Sequence, residues 1–204
     1  MNRTGATPIA LSLSALTLVM IRDSRRLRHM ALHDPLTGLP NRLFLERQLT
    51  HTIAHARRHQ RLFALAVLDL NGFKPVNDTY GHLAGDSVLI ETARRIQKRI
   101  RQEDTLARTG GDEFTLLLTE INEPTDAVSV AKTLASAIRQ PFDWDGAQIT
   151  LAVSVGIAIY PNHGDDLNGL FQHADLAMYQ AKDTANNDWT IAEPDPGRMD
   201  ARPQ

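Results

Sequence analysis

No cysteine occurs in the sequence, which removes a disulfide framework, a thiolate zinc site and a cysteine nucleophile together. That composition suits a reducing compartment. Nor does charge of one sign prevail: 22 Lys and Arg stand against 24 Asp and Glu, for a formal net charge of −2. So balanced a chain lacks the basic excess that neutralises phosphates along a nucleic acid, and no nucleic-acid partner is expected. A glycine-rich loop ending in Gly-Lys-Ser/Thr is missing, which argues against a P-loop NTPase. Internal repeats and low-complexity segments are absent too. Long apolar runs are scarce. The one candidate, Pro8 to Ile21, falls short of the roughly 20 residues that span a hydrocarbon core, and Arg22, Arg25, Arg26 and Arg28 follow it. An arginine-rich flank without a small-residue cleavage site favours an uncleaved anchor over a signal peptide. Residues 8–21 would then tie a cytoplasmic domain to the inner membrane. An amphipathic or partner-bound helix explains the same run equally well.

What is present is enough apolar residue, 42% of the chain, to fill one core. Residues 1–33 read as the apolar segment and a helical connector, 34–192 as one globular domain, and 193–204 as a loose tail rich in proline and charge. Leu45, Leu49, Ile53 and Ala56 mark one face of a helix over Asn41–His59. Arg61–Leu70 is a short apolar run that reads as a buried central strand. Asn71-Gly72 ends it, and a loop through Gly81 and Gly85 leads to a helix over Asp86–Ile100, with Asp86 as the carboxylate favoured at a helix start. Two short strands, Thr105–Arg108 and Phe114–Leu118, meet across Gly110-Gly111, a hairpin signal because both glycines can take positive φ. A helix over Asp126–Arg139, a second hairpin of Phe142–Trp144 and Gln148–Tyr160 around Asp145-Gly146, and a helix over Asp166–Thr184 follow. This order implies an α+β fold: a central, mostly antiparallel sheet with surrounding helices.

Chemistry gathers where strands end. Asp69 closes the central strand, and Asp112 and Glu113 lie in the Gly110-Gly111 turn, so neighbouring strands would bring three carboxylates together. Magnesium is held by one or two carboxylates plus substrate phosphates, which such a cluster suits. Gly110 and Gly111 would let a nucleotide approach the backbone. Ordinary turns rich in Asn, Asp and Gly look the same, and spacing alone leaves both readings standing. His51, His55 and His59 repeat every four residues on one helix, yet Thr52 stands where a zinc hydrolase carries its glutamate base, so a solvated face is expected there.

Four ordered stretches then resemble the GGDEF family across Asp34 to Asp188. They are Asp34-Pro-Leu-Thr-Gly-Leu-Pro-Asn-Arg42, Asp69-Leu-Asn-Gly-Phe-Lys-Pro-Val-Asn77-Asp78-Thr-Tyr-Gly81-His82, Gly110-Gly111-Asp112-Glu113-Phe114, and Ala174-Asp175-Leu-Ala-Met-Tyr-Gln-Ala-Lys182. The resemblance implies a fold like the palm of nucleotidyl cyclases and polymerases, and a homodimeric diguanylate cyclase condensing two GTP into cyclic di-GMP. By position, Asp69, the Leu70 carbonyl and Asp112 would hold Mg2+, with Mn2+ as a substitute, and Asp112 or Glu113 would help deprotonate the ribose 3′-hydroxyl. Gly110, Gly111 and Lys182 fall at substrate-binding positions. Asn77 and Asp86 match those that read the guanine edge, a carboxylate accepting from its N1 and N2 donors. Arg101 and Asp104 stand at the family's Arg-x-x-Asp inhibitory position, which implies product inhibition. Two departures stand out. Asn186 replaces an arginine that would contact the terminal phosphates, a loss of about 1.5–3 kcal/mol in binding, and Asn71 replaces a frequent aspartate. Asn186 is the feature that supports an alternative, a weak or inactive domain serving as a GTP or cyclic di-GMP effector.

Overall fold

The computed structural model describes residues 30–183 and 188–193. Helix α1 (Arg42–His59) starts where the Asn41 side chain accepts from the Phe44 N–H at 3.1 Å, and Gln60 in left-handed backbone (φ 52°) ends it. Strand β1 (Leu62–Asn71) follows, buried along its whole interior. The stretch expected to be a loop is instead a short helix α2 (Phe73–Tyr80), entered through Gly72 at φ 86°. Pro75 sits in its first turn, where a missing N–H costs nothing. Gly81 (φ 83°) separates it from α3 (His82–Gln97). Asp86 therefore lies a turn inside α3 and caps nothing, and Gly85 is helical.

Strands β2 (Thr105–Arg108) and β3 (Glu113–Ile121) form the expected hairpin. Helix α4 (Pro124–Ile138) opens with the Asp126 carboxylate accepting from the Asn122 and Glu123 N–H groups at 2.8 and 3.3 Å. The run read as one strand over Gln148–Tyr160 is two: β5 (Ala147–Ile149) pairs only with β4 (Phe142–Trp144), whereas β6 (Ala152–Tyr160) joins the main sheet. Asp145 (φ 49°) and Gly146 (φ 79°) supply the two positive angles of the tight turn between β4 and β5. Helix α5 (Leu167–Asp183) matches the last expected helix, and a short strand β7 (Trp189–Ile191), not expected from the sequence, is the last element among the described residues.

The five-stranded sheet runs β2-β3-β1-β6-β7, antiparallel except for the parallel β6–β7 pair. The fold is thus α+β with a mostly antiparallel sheet, as the sequence implies. Alternation along β1 divides the core in two. Ala64, Ala66, Leu68 and Leu70 pack with residues of α3 and α4, while Phe63, Leu65 and Val67 pack with α1 and α5. Both faces of β1 are covered, which is why its sequence is a continuous apolar run. Truncating Leu65 or Leu68, both buried, to alanine costs about 2–5 kcal/mol. Helix α5 lies against β6 so closely that a Cβ on Gly156 would stand 2.0 Å from the Ala174 carbonyl oxygen and 2.2 Å from the Met178 nitrogen. Among the described residues no helix is long and apolar enough to cross a membrane. Pro8 to Ile21, most of the connector and Asn186 lie outside the described residues.

Candidate functional site

Asp69 and Asn71 continue the face of β1 that packs on α1 and α5, but at the strand end the apolar cover gives out. Asp69 is paired in register with Glu113 of β3 on one side and Ser154 of β6 on the other. Directly opposed residues of antiparallel strands share a face, so two carboxylates meet here. Lys182, in the last turn of α5, donates to Asp69 Oδ1 at 2.8 Å. The contact raises the Lys182 ammonium above its ordinary pKa, and it supplies the counter-charge that a carboxylate side chain only 13% exposed requires. Burial, followed by the charges of Asp69, Asp175 and Asp112, pushes the Glu113 carboxyl up. The Leu70 N–H donates to the Asp112 carbonyl at 3.3 Å, fastening the turn to the end of β1. Asp69, Leu70, Asp112, Glu113 and Lys182 are therefore one cluster.

The glycines of the turn have a different cause from the one expected. Neither Gly110 nor Gly111 has positive φ. A Cβ on Gly110 would lie 2.7 Å from Glu113 Oε2, whereas one on Gly111 would meet nothing within 4 Å. The first glycine makes room for the Glu113 side chain; the second leaves open space over the turn.

Asn77 and Asp86 sit on neighbouring helices. The Asn77 side chain lies across Gly85, where a Cβ would come 2.0 Å from its Oδ1, and Asp86 is exposed beside it. Arg101 and Asp104 form a separate group in the turn between α3 and β2. The Arg101 N–H donates to Asp104 Oδ2 at 3.0 Å and the Thr119 N–H to Oδ1 at 3.3 Å. Burial pushes the Asp104 carboxyl up. Helix α3 stops at Gln97, so this pair is not a charged helix end. The Arg101 side chain borders a cavity of about 530 Å³ shared with His51, His55, Glu103 and Glu120. His51, His55 and His59 are all exposed.

Four residues that the sequence reading gave no role belong here. Arg42 opposes the upward shifts of Glu113 and Asp175 with its charge. Asp175, on α5, is raised chiefly by burial. Arg108 and Asp34 form an ion pair at 3.1 Å beside the turn. All four stand in or next to the quoted stretches, but their partners are remote in sequence, so no local spacing announces them.

The donors suit a hard divalent cation. They are oxygens throughout, and Asn71 Oδ1, at the same strand end, is buried with no partner among the described residues while its Nδ2 donates to Ser154 Oγ at 2.9 Å. Among the described residues no three acidic or histidine side chains form a metal cage by themselves. Magnesium tolerates that, because water and substrate phosphate fill the remaining positions.

Residues 31–188 match the family described as diguanylate cyclase, GGDEF domain. The bifunctional diguanylate cyclase/cyclic di-GMP phosphodiesterase MucR of Pseudomonas aeruginosa is 46% identical over 180 residues, 88% of this chain and 26% of that protein. Diguanylate cyclase TpbB of the same organism is 39% identical over 172 residues, 84% of this chain and 40% of that one. The chain thus spans well under half of these curated relatives. A solved GGDEF domain of TpbB superposes with a TM-score of 0.77 at 40% identity, covering 79% of this chain and 94% of that one. The coiled coil and GGDEF domain of DgcB from Caulobacter crescentus, solved with c-di-GMP, gives 0.80 at 25% identity, covering 92% and 100%.

Proposed function

The chain belongs to the diguanylate cyclase GGDEF-domain family, and on that premise we propose that it condenses two GTP molecules into cyclic di-GMP with release of two pyrophosphates. The observation that carries this reading is the meeting of Asp69 with Glu113 across the β1–β3 register, with the Asp112 turn fastened to the end of β1 through the Leu70 N–H and Lys182 against Asp69. Each ribose 3′-oxygen attacks the α-phosphorus of the other GTP; the bond to the bridging oxygen breaks and pyrophosphate leaves. One cluster positions one nucleotide, so the reaction takes place between two copies of the chain. Attack requires loss of the 3′-hydroxyl proton. Glu113 is placed to take it, standing opposite Asp69 across the β1–β3 pair and next to Asp112 in the chain.

Asp69, Asp112 and the Leu70 carbonyl would hold Mg2+, with Mn2+ as a substitute, which when bound neutralises charge on the phosphates. Lys182, which donates to Asp69, would turn from it to the same phosphates. Asn77 and Asp86 read guanine, and the exposed Asp86 carboxylate favours GTP over ATP through the N1 and N2 donors of guanine. Arg101 would bind the cyclic di-GMP product together with Asp104 and slow the enzyme. A second reading is favoured by Asn186: without the phosphate-binding arginine the domain would bind GTP or cyclic di-GMP as an effector.

Purified protein incubated with GTP and Mg2+ separates the two. Formation of cyclic di-GMP by wild type, abolished in Asp112→Ala, supports the cyclase. Binding of the dinucleotide without synthesis supports the effector, and absence of both rejects the site altogether.

A further inference from the structure

Arg108 is the last residue of β2, separated from the Gly110-Gly111 turn by Thr109 alone, and its guanidinium faces two ways. Nε and Nη2 donate to the Gly111 carbonyl at 3.1 and 2.7 Å, while Nη1 donates to both Asp34 oxygens at 3.1 and 3.2 Å. Both side chains are largely buried, 14% and 16% exposed.

Asp34 is itself the knot of a closed turn. Its Oδ1 accepts from the Thr37 N–H at 2.8 Å and from the Thr37 hydroxyl at 2.6 Å, and its own N–H donates to the Leu39 carbonyl at 2.8 Å. The chain entering that turn is fastened to it: Asn41 donates from its backbone to the Leu32 carbonyl and from its side chain to the Ala31 carbonyl, each at 2.9 Å. The Arg108 N–H donates to the Pro40 carbonyl at 2.9 Å. One planar group thus joins the segment by which the chain enters the domain to the peptide carbonyl that directly precedes Asp112.

We propose that Arg108 is a positioning residue that holds Asp112 in working geometry through the Gly111 carbonyl and makes that geometry depend on the Asp34 turn. The proposal rests on the reading of Asp112 as a functional acid. A rigid fork is needed because the two acceptors lie on opposite sides of the side chain; a lysine ammonium satisfies one of them and releases the other. A displaced carboxylate is costly, since about 1 Å of misplacement can remove about a hundredfold of rate.

The test uses Arg108→Lys and Asp34→Asn in the full chain, read by steady-state kinetics and amide hydrogen exchange. In Arg108→Lys, kcat falls about 10- to 100-fold, KM for GTP stays as in wild type, and more Mg2+ is required for half-maximal rate. Exchange quickens at residues 110–113 and not in the remainder of β1 and β3. Asp34→Asn acts in the same direction, and the double variant is no worse than the poorer single one, as expected of a shared linkage. Unchanged exchange in the turn overturns the proposal. So do multiplying effects of the two substitutions, or a loss of rate explained by general unfolding. If Arg108→Lys fails to fold, Asp34→Asn decides alone. Wild type that makes no cyclic di-GMP rejects the cyclase reading, while exchange in the turn still tests the linkage.

Discussion

Replacing Lys182 by methionine is expected to tighten binding of a bare divalent cation while weakening binding of GTP, two changes of opposite sign from one side chain. Lys182 occupies the Asp69 carboxylate at 2.8 Å, and any cation arriving at that oxygen must displace it. The carboxylate is 13% exposed and the lysine 44%. The pair is therefore worth more than the roughly 0–1 kcal/mol of an exposed contact but less than the roughly 3–5 kcal/mol lost on breaking a buried one, about 1–2 kcal/mol. Removing the competitor should improve the affinity for Mn2+ without nucleotide by about 5- to 30-fold. Losing a charged hydrogen bond to phosphate should weaken GTP by about 1.5–3 kcal/mol, or about 10- to 150-fold. An unpaired Asp69 should also lower the unfolding temperature by about 2–8 °C, and Mn2+ should restore it. Paramagnetic resonance titration of Mn2+, with and without a non-hydrolysable GTP analogue, reads both affinities. Unchanged or weaker Mn2+ binding in the variant would refute the view that Lys182 keeps the metal position.

Gly85→Ala should impair GTP binding more than folding, because the new methyl collides with Asn77 Oδ1; calorimetric titration with the GTP analogue, compared with the unfolding temperature, checks this. Glu113→Gln should lower kcat by about a hundredfold or more while stabilising the metal-free fold. The folded protein keeps the Glu113 proton to higher pH than the unfolded chain does, so that stability is full below pH ~4.3 and lost as pH rises through the folded value. The gain in unfolding temperature should thus be clear at pH 7 and vanish near pH 4. His163 behaves in the opposite sense. Burial, and then the charge of His173, lowers its pKa to about 4, and its Nδ1 accepts from the Ile159 N–H at 2.9 Å. The unfolded chain takes up that proton first, so about 3 kcal/mol of stability should drain away as pH falls from ~6.5 to 4. A shallower acid slope in thermal unfolding of His163→Gln is the check.

The elements legible in the sequence are those whose periodicity reports their own burial. Leu45 and Leu49 fixed the face of α1, and the unbroken apolar run of β1 identified a strand covered on both sides. Helix α2 escaped because Pro75, Asn77 and Asp78 resemble a loop, and only the glycines at its two ends let so short a helix turn back. The division of Gln148–Tyr160 between two sheets was hidden because both pieces are apolar where they are buried. Strand β7 is three residues paired in parallel with β6, with no turn signal of its own. At the candidate site, the quoted stretches contain Asp69, Asp112, Glu113 and Lys182, which the fold brings together, but nothing in them announces the link between Arg108 and Asp34. That link is a contact across 74 positions of chain, which no local pattern encodes. The Gly110-Gly111 pair is legible as a turn yet not through positive φ: at Gly110 the Glu113 side chain crowds a Cβ, and at Gly111 the space is open.

Helix α5 meets β6 backbone to backbone at Gly156, with no side chain between to absorb error. A repacked leucine elsewhere can relax by changing rotamer, but this seam has no such slack. The distance from the sheet to Lys182 is accordingly ruled by main-chain atoms, and the reach of the ammonium toward Asp69 is insulated from whatever drifts in the core around it.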